Sequence, residues 1–259
     1  RWGSRGLGDV YKRQAKNLTE FSNLIKEKGD IAAGLETDGD ADRIGLYNSK
    51  GEFVDSHHII LLLLLYLNKS KNLTGKVVVA ASTTPRVVRL AEILGLPHDT
   101  VKVGFKYIAQ QMIKEDVLIG GEESGGIAIK GHIPERDGIW MGLVLFEYMA
   151  KSGKSLEDLI EEVYGLVGAF KYWRDDLHID EKVKNAIVKK CNKDQFKSFG
   201  NYTVQSIDKT DGFKFILSDD EWLMIRPSGT EPVLRCYAES KDLKGAKDIL
   251  SACKKEIGV

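Results

Sequence analysis

The chain has few cysteines, no surplus of charge and no long apolar run, and each lack narrows its class. Three cysteines in 259 residues, Cys191, Cys236 and Cys253, share no metal-ligand spacing. Their odd number and wide separation fit reduced thiols in a cytoplasmic protein, with a disulfide between two of them left open. The 38 basic and 38 acidic residues cancel, so the chain has no basic surplus to recruit nucleic acid or an anionic membrane. The longest apolar run, Ile59 to Leu67, is too short to cross a bilayer and reads as a buried helix. No secretory signal, internal repeat or low-complexity tract is visible. The opening segment Arg1 to Gln14 is basic, glycine-rich and unperiodic, and is expected to be a non-native scar.

What is present is an ordinary globular composition, 42% hydrophobic and 29% charged, long enough for one large or two ordinary domains. Helical spacing of Leu18, Phe21, Leu24 and Ile25 predicts a helix over 17–28 capped by Gly29. Short apolar runs at Ile31–Leu35 and Ile44–Tyr47 read as strands. From 55 to 166 helices and strands alternate, with strands near Val77–Ala80, Asp99–Val103, Val117–Ile119 and Ile127–Ile129. That rhythm predicts an α/β unit with a mixed, parallel-rich sheet covered by helices. Beyond 172 the pattern changes to α+β. A helix at Glu181–Cys191 precedes strands Tyr202–Asp208, Gly212–Leu217, Trp222–Arg226 and Leu234–Ala238, and a helix at Leu243–Ile257 closes an antiparallel unit.

The most informative segment is Asp38-Gly39-Asp40-Ala41-Asp42-Arg43. Three carboxylates alternate with small residues in a loop pinned between two strands. Carboxylates that converge repel one another unless a hard cation lies between them, and Mg²⁺ and Ca²⁺ prefer such oxygen ligands. An EF-hand is excluded by spacing, because Arg43 stands where its glycine belongs and Ser49 where its glutamate belongs. An acidic surface turn is the competing explanation, and the flanking strands argue against it.

Two more loops follow strands. Gly120-Gly121-Glu122-Glu123-Ser124-Gly125-Gly126 offers a carboxylate and a hydroxyl on a bare backbone, which suits the hydroxyls of a sugar; a glycine-rich surface turn reads the same way. Arg226-Pro227-Ser228-Gly229-Thr230-Glu231-Pro232, with Arg235 behind it, has the fork, hydroxyls and turn amides that a phosphate requires. Glu231 has the wrong sign for phosphate and would orient an arginine, and the loop lacks the lysine of a Walker A sequence. Cation, polyol and phosphate together point to phosphosugar chemistry.

These loops, in this order, resemble those of the α-D-phosphohexomutase superfamily, the phosphoglucomutases and phosphomannomutases. Val103-Gly104-Phe105-Lys106 and Pro134-Glu135-Arg136-Asp137-Gly138-Ile139-Trp140 support the likeness, which runs from about Asp30 to the C-terminus. The resemblance implies that Asp38, Asp40 and Asp42 hold Mg²⁺ and that Arg43 lies beside the phosphoryl group in transfer. Glu122 and Ser124 would bind sugar hydroxyls. Arg226, Ser228, Gly229 and Thr230, with Arg235 nearby, would grip the non-reacting phosphate, and Lys106 is a further substrate contact. Of the family's four domains the chain would supply the tail of the second (15–52), the third (53–166) and the fourth (172–259).

The chain departs from that family in one respect. The family's nucleophile is a phosphoserine in a Ser-His-Asn-Pro-type motif, and none occurs here. Ser56-His57-His58 continues into Ile59-Ile60 within the apolar helix and is rejected. The expectation is therefore a C-terminal fragment whose partners are a hexose phosphate and the missing N-terminal domains, inactive alone. The alternative is a non-catalytic phosphosugar- or metal-binding module. The loops look more like the glucose and mannose type than the glucosamine type, which tends to carry Gln where Glu123 stands.

Overall fold

A computed structural model describes residues 19–228 and 232–259; the opening segment and three residues of the RPSGTEP turn, Gly229, Thr230 and Glu231, lie outside that range. The chain divides between Val167 and Gly168 into two compact units.

The first unit opens with α1 (Thr19–Lys28), which ends where Gly29 takes a left-handed φ of 70° and donates its N–H to the Ile25 carbonyl. Next come β1 (Ala33–Thr37), β2 (Ile44–Asn48) and β3 (Phe53–Val54), an antiparallel sheet of their own. The first strand begins two residues later than the apolar run suggests and extends past it, because Glu36 and Thr37 pair with Gly45 and Ile44.

The α/β part comprises α2 (Ser56–Leu65), β4 (Lys76–Ala80), α3 (Pro85–Ile93), β5 (His98–Val101), α4 (Phe105–Lys114), β6 (Val117–Gly121), β7 (Ile127–Ile129), α5 (Gly138–Ser152) and α6 (Leu156–Val167). Its sheet has the order β5-β4-β6-β7. The pairs β4–β5 and β4–β6 are parallel and β6–β7 is an antiparallel hairpin, so the sheet is mixed as expected. Every residue of α2 is buried, as befits a helix that is apolar all round from Ile59 onward, with Ser56, His57 and His58 in its first turn. The expected helix over Ser56–Leu67 is corrected at its end: the last turn widens into a π-turn at Tyr66–Ser70. No helix among the described residues is long and apolar enough to cross a membrane.

The second unit contains β8 (Lys171–His178), α7 (Glu181–Asn192), a small hairpin of β9 (Ser198–Phe199) and β10 (Tyr202–Thr203), then β11 (Ser206–Asp208), β12 (Phe213–Ile216), β13 (Trp222–Pro227), β14 (Val233–Ser240) and α8 (Leu243–Ile257). Strands β11-β12-β13-β14-β8 form one antiparallel sheet. Two expectations are corrected here. The stretch Tyr202–Asp208 is two strands in different sheets, because Val204 and Gln205 turn their N–H groups to Lys197 and Ile216. Strand β8 was not foreseen: its Arg-Asp-Asp core hides the alternation of Tyr172, Arg174 and Asp176 on one face against Trp173, Asp175 and Leu177 on the other. Pairing of Tyr237 with Arg174 and Arg235 with Asp176 makes a charged strand acceptable beside β14. The three cysteines, distant in sequence, are free thiols that meet in the core between this sheet, α7 and α8.

Candidate functional site

The acidic hexapeptide is the connection of a hairpin whose last paired residues are Thr37 and Ile44. Ala41 has φ of 58°, a left-handed conformation that costs a non-glycine residue on the order of 1 kcal/mol. The reversal is fastened by Ala41 N–H donating to the Asp38 carbonyl at 3.1 Å and by Arg43 N–H donating to Asp38 Oδ1 at 3.3 Å. It gathers one carboxylate oxygen from each of Asp38, Asp40 and Asp42 within 4.8 Å of one another. Asp38 and Asp42 are half-buried and Asp40 is exposed. Burial raises the Asp42 pKa, Arg136 opposes that rise, and the charges of Asp38 and Asp40 add to it. Like-charged groups held together in this way are destabilised unless a cation joins them. Oxygens bound to Mg²⁺ at about 2.1 Å lie at most about 4.2 Å apart. The triad therefore fits a hard divalent ion after small rotamer adjustments.

Arg43 lies at the base of the loop, with Nε 3.7 Å from both Asp38 Oδ2 and Asp42 Oδ1. A second arginine comes from the segment before α5: Arg136 Nη2 is 2.8 Å from Asp42 Oδ2. Sequence reading quoted Arg136 within a family segment but gave it no role. A charged loop does not reveal where its side chains reach, and the available signal was Gly126, which leaves room for the Arg136 stem.

The Glu122–Gly126 segment is the tight turn between β6 and β7. Glu122 N–H donates to the Gly126 carbonyl at 3.0 Å, and Gly125 N–H donates to the Glu122 carbonyl at 3.1 Å. The Glu122 side chain is only 5% exposed and accepts the Gly104 N–H at 2.8 Å. Burial, helped by the neighbouring Glu123 charge, pushes its pKa up to about 7, with the Gly104 hydrogen bond, Arg136 and Arg43 pulling the other way. Ser124 is half-buried in the turn. Glu123 is held differently: Ser82 Oγ donates to its carboxylate and Ser56 Oγ to its carbonyl. The residue that suggested a sugar preference thus sits in a hydroxyl-lined anchor beneath the turn.

Backbone contacts fasten the cation loop to this turn. Arg43 and Gly126 form an isolated antiparallel bridge, Ile44 N–H donates to the Gly125 carbonyl at 3.0 Å, and Gly138 N–H at the start of α5 donates to the Ala41 carbonyl at 2.9 Å. A Cβ on residue 138 would fall 2.4 Å from the Arg43 carbonyl oxygen, so only glycine permits this closeness. Asp38, Asp40, Asp42, Arg43 and Glu122 are thereby brought into one constellation. Lys106 projects outward from the first turn of α4, its Nζ 4.9 Å from the Tyr107 ring centroid.

The remaining residues belong to the second unit. Arg226 and Arg235 are cross-strand partners on β13 and β14. Arg226 Nε donates to Asp211 Oδ2 at 3.0 Å, and Ser228 N–H donates to the Val233 carbonyl at 2.9 Å, closing the strands below the turn. Gly229 and Thr230, expected to contact phosphate, lie outside the described residues, as does Glu231.

Comparison with known proteins bears on the fold and the family. Residues 55–166 match the phosphoglucomutase/phosphomannomutase α/β/α domain III, and residues 177–255 match the phosphoglucomutase/phosphomannomutase C-terminal domain. A phosphoglucomutase/phosphomannomutase of Thermococcus kodakarensis is 29% identical over 91% of this chain and 49% of its own length. A phosphoglucosamine mutase of Methanocaldococcus jannaschii is 30% identical over 95% of the chain and 53% of its own. A solved structure from Thermus thermophilus, provisionally described as a phosphomannomutase, superposes with a TM-score of 0.79 at 31% identity, covering 95% of this chain and 50% of that one. The chain spans about half the length of the curated relatives it matches. Two consecutive family domains, relatives along nearly the whole sequence and a shared fold make this chain a member of the α-D-phosphohexomutase superfamily.

Proposed function

We propose that the chain is the cation-, sugar- and phosphate-binding part of a phosphohexomutase that interconverts hexose 1-phosphates and 6-phosphates of glucose and mannose through a phosphoserine and a bisphosphate intermediate. The observation that carries this reading is the backbone bridge between Arg43 and Gly126, which sets the aspartate triad beside the Glu122 turn. In this reading residues 15–52 end the family's second domain, 53–166 are its third and 172–259 its fourth. The phosphoserine and the domain that carries it belong to a segment outside this sequence.

Asp38, Asp40 and Asp42 would hold Mg²⁺, which supplies charge neutralisation for a phosphoryl group. Arg43 balances the triad and faces the same group. Glu122 accepts hydrogen bonds from sugar hydroxyls; its Oε1 is already oriented by the Gly104 N–H, which leaves Oε2 to receive the sugar. Ser124 adds a hydroxyl that donates or accepts, and Lys106 adds a cation at the rim. Arg226, Ser228, Gly229, Thr230 and Arg235 would hold the phosphate that does not react, with Asp211 fixing the plane of Arg226.

Calorimetric titration with glucose 1-phosphate, mannose 1-phosphate and glucosamine 1-phosphate in Mg²⁺ tests the proposal. Saturable binding of the glucose or mannose ester, weakened at least tenfold by Arg226→Gln, supports it, and no binding of any ester overturns it. The chain alone is expected to show no mutase turnover. Turnover that survives Asp40→Ala would contradict the scheme.

A further inference from the structure

The turn that carries Glu122 and Ser124 is gripped through the residue between them. Ser82 Oγ donates to the Glu123 carboxylate and Ser56 Oγ to the Glu123 carbonyl, each at 2.5 Å. Both donors are shielded from water: Ser82 is wholly buried and Ser56 is 5% exposed. They come from different elements. Ser56 opens α2, and Ser82 stands in the loop between β4 and α3. That loop is itself fixed, because Ala81 N–H donates to the Val101 carbonyl at 2.8 Å and Thr84 N–H donates to Nδ1 of the buried His57 at 3.0 Å. His57 adjoins Ser56, so the two serines belong to one brace.

The brace meets a geometric need. Strands β4 and β6 are parallel neighbours, and the Ser82 loop and the Glu122 turn leave their adjacent carboxyl ends, where open α/β sheets bind ligands. The hydrogen bonds inside the turn close it but do not set its tilt on the sheet. The cation loop holds one flank, where Ile44 N–H donates to the Gly125 carbonyl. Glu123 holds the other, and a carboxylate that accepts a hydroxyl proton is a strong, directional tether. With the middle residue pinned by both its side chain and its carbonyl, Glu122 and Ser124 have little freedom to turn away.

We infer that Ser82 is a positioning residue for the sugar: through the Glu123 carboxylate it holds the turn so that Glu122 and Ser124 meet the hexose hydroxyls together, and residue 123 anchors the turn without reading the sugar itself. The inference rests on the proposed phosphosugar reading and concerns the same site. It predicts that loss of the Ser82 hydroxyl costs affinity for the sugar and not for phosphate.

The test is calorimetry of the chain in saturating Mg²⁺ at pH 8 with glucose 1-phosphate, glucosamine 1-phosphate and inorganic phosphate. At this pH Glu122, whose pKa is about 7, is ionised whether or not residue 123 carries charge. Ser82→Ala is expected to weaken glucose 1-phosphate at least fivefold and inorganic phosphate less than twofold, and Ser82→Thr, which keeps the hydroxyl, to recover most of the loss. Glu123→Ala should give the same selective loss if Ser82→Ala folds poorly. Glu123→Gln, whose amide oxygen still accepts the Ser82 proton, should lose less than Glu123→Ala and keep the ratio of glucose to glucosamine ester affinities within twofold of the wild type. Equal weakening of sugar ester and inorganic phosphate by Ser82→Ala and Glu123→Ala, or none, would overturn the positioning role while leaving the phosphosugar reading intact. A larger change of the sugar ratio in Glu123→Gln would overturn it too, because residue 123 would then read the sugar. A wild-type chain that binds neither hexose ester would overturn both.

Discussion

Arg43 and Gly126 face each other across an isolated antiparallel bridge, far apart in sequence and outside any regular strand. Through that contact the backbone of the cation loop and the backbone of the glutamate turn become one rigid piece. The placement of the aspartate triad beside the Glu122 turn is set by main-chain hydrogen bonds and not by side chains alone.

Gly138 is the third point of this seam. Replacement by Ala places a methyl 2.4 Å from the Arg43 carbonyl oxygen, and that contact cannot relax without moving the loop. Overpacking of this kind costs about 2 kcal/mol, and the better helix propensity of Ala returns less than half of it. Thermal denaturation of Gly138→Ala should show the loss, and Mg²⁺ titration of the same variant should show weaker binding.

Glu122 makes stability depend on pH. Its carboxyl titrates near 7 in the folded chain because burial disfavours the anion, against 4.5 unperturbed. Between these values the folded state keeps a proton that the unfolded state has released, so stability falls as pH rises through the window. The wild type should lose on the order of 2 kcal/mol between pH 5 and pH 8 from this group. Glu122→Gln, whose amide oxygen can still accept the Gly104 N–H, should remove that slope in denaturant titrations at the two pH values.

Asp55 anchors the wholly buried α2. It accepts the His58 N–H as the N-cap and meets His58 Nδ1 at 2.7 Å, while His58 Nε2 meets the Tyr164 hydroxyl at 2.8 Å on α6. Burial works to raise the Asp55 pKa, but His58 outweighs it and holds the carboxyl below its usual range. The contribution is therefore present at neutral pH and lost only under strong acidification. Asp55→Ala should destabilise by about 2 kcal/mol, combining a lost cap and a broken, half-buried hydrogen bond to His58. Tyr164→Phe should cost about 1 kcal/mol, read from chemical denaturation.

The three thiols should be silent in the native chain. Burial pushes Cys191 up to about 12, and Cys253 is raised well above its usual value by its hydrogen bond with Cys236 and by burial. An aromatic disulfide reagent at pH 8 should label none of them before unfolding and all three afterwards.

Much of this was legible in the sequence where chemistry and pattern coincide. Asp38, Asp40 and Asp42 announce themselves by alternation between two apolar runs, and α2 by the unbroken apolar run from Ile59. Strand β8 was not legible, because Arg174, Asp175 and Asp176 look like a solvated loop until β14 supplies partners for them. The convergence of Cys191, Cys236 and Cys253 and the reach of Arg136 to Asp42 are long-range contacts with no local signature. The glycines at 126 and 138 were visible, but their meaning depends on what approaches them.

The account turns on the aspartate triad as a divalent-cation site, and Mg²⁺ titration by calorimetry of the wild type and Asp40→Asn tests it most directly. Asp40 is exposed, so the substitution leaves folding intact. The account predicts one saturable Mg²⁺ site in the wild type, weakened at least tenfold in Asp40→Asn with an unchanged melting temperature. Equal Mg²⁺ binding by both proteins, or no saturable binding by the wild type, would contradict it.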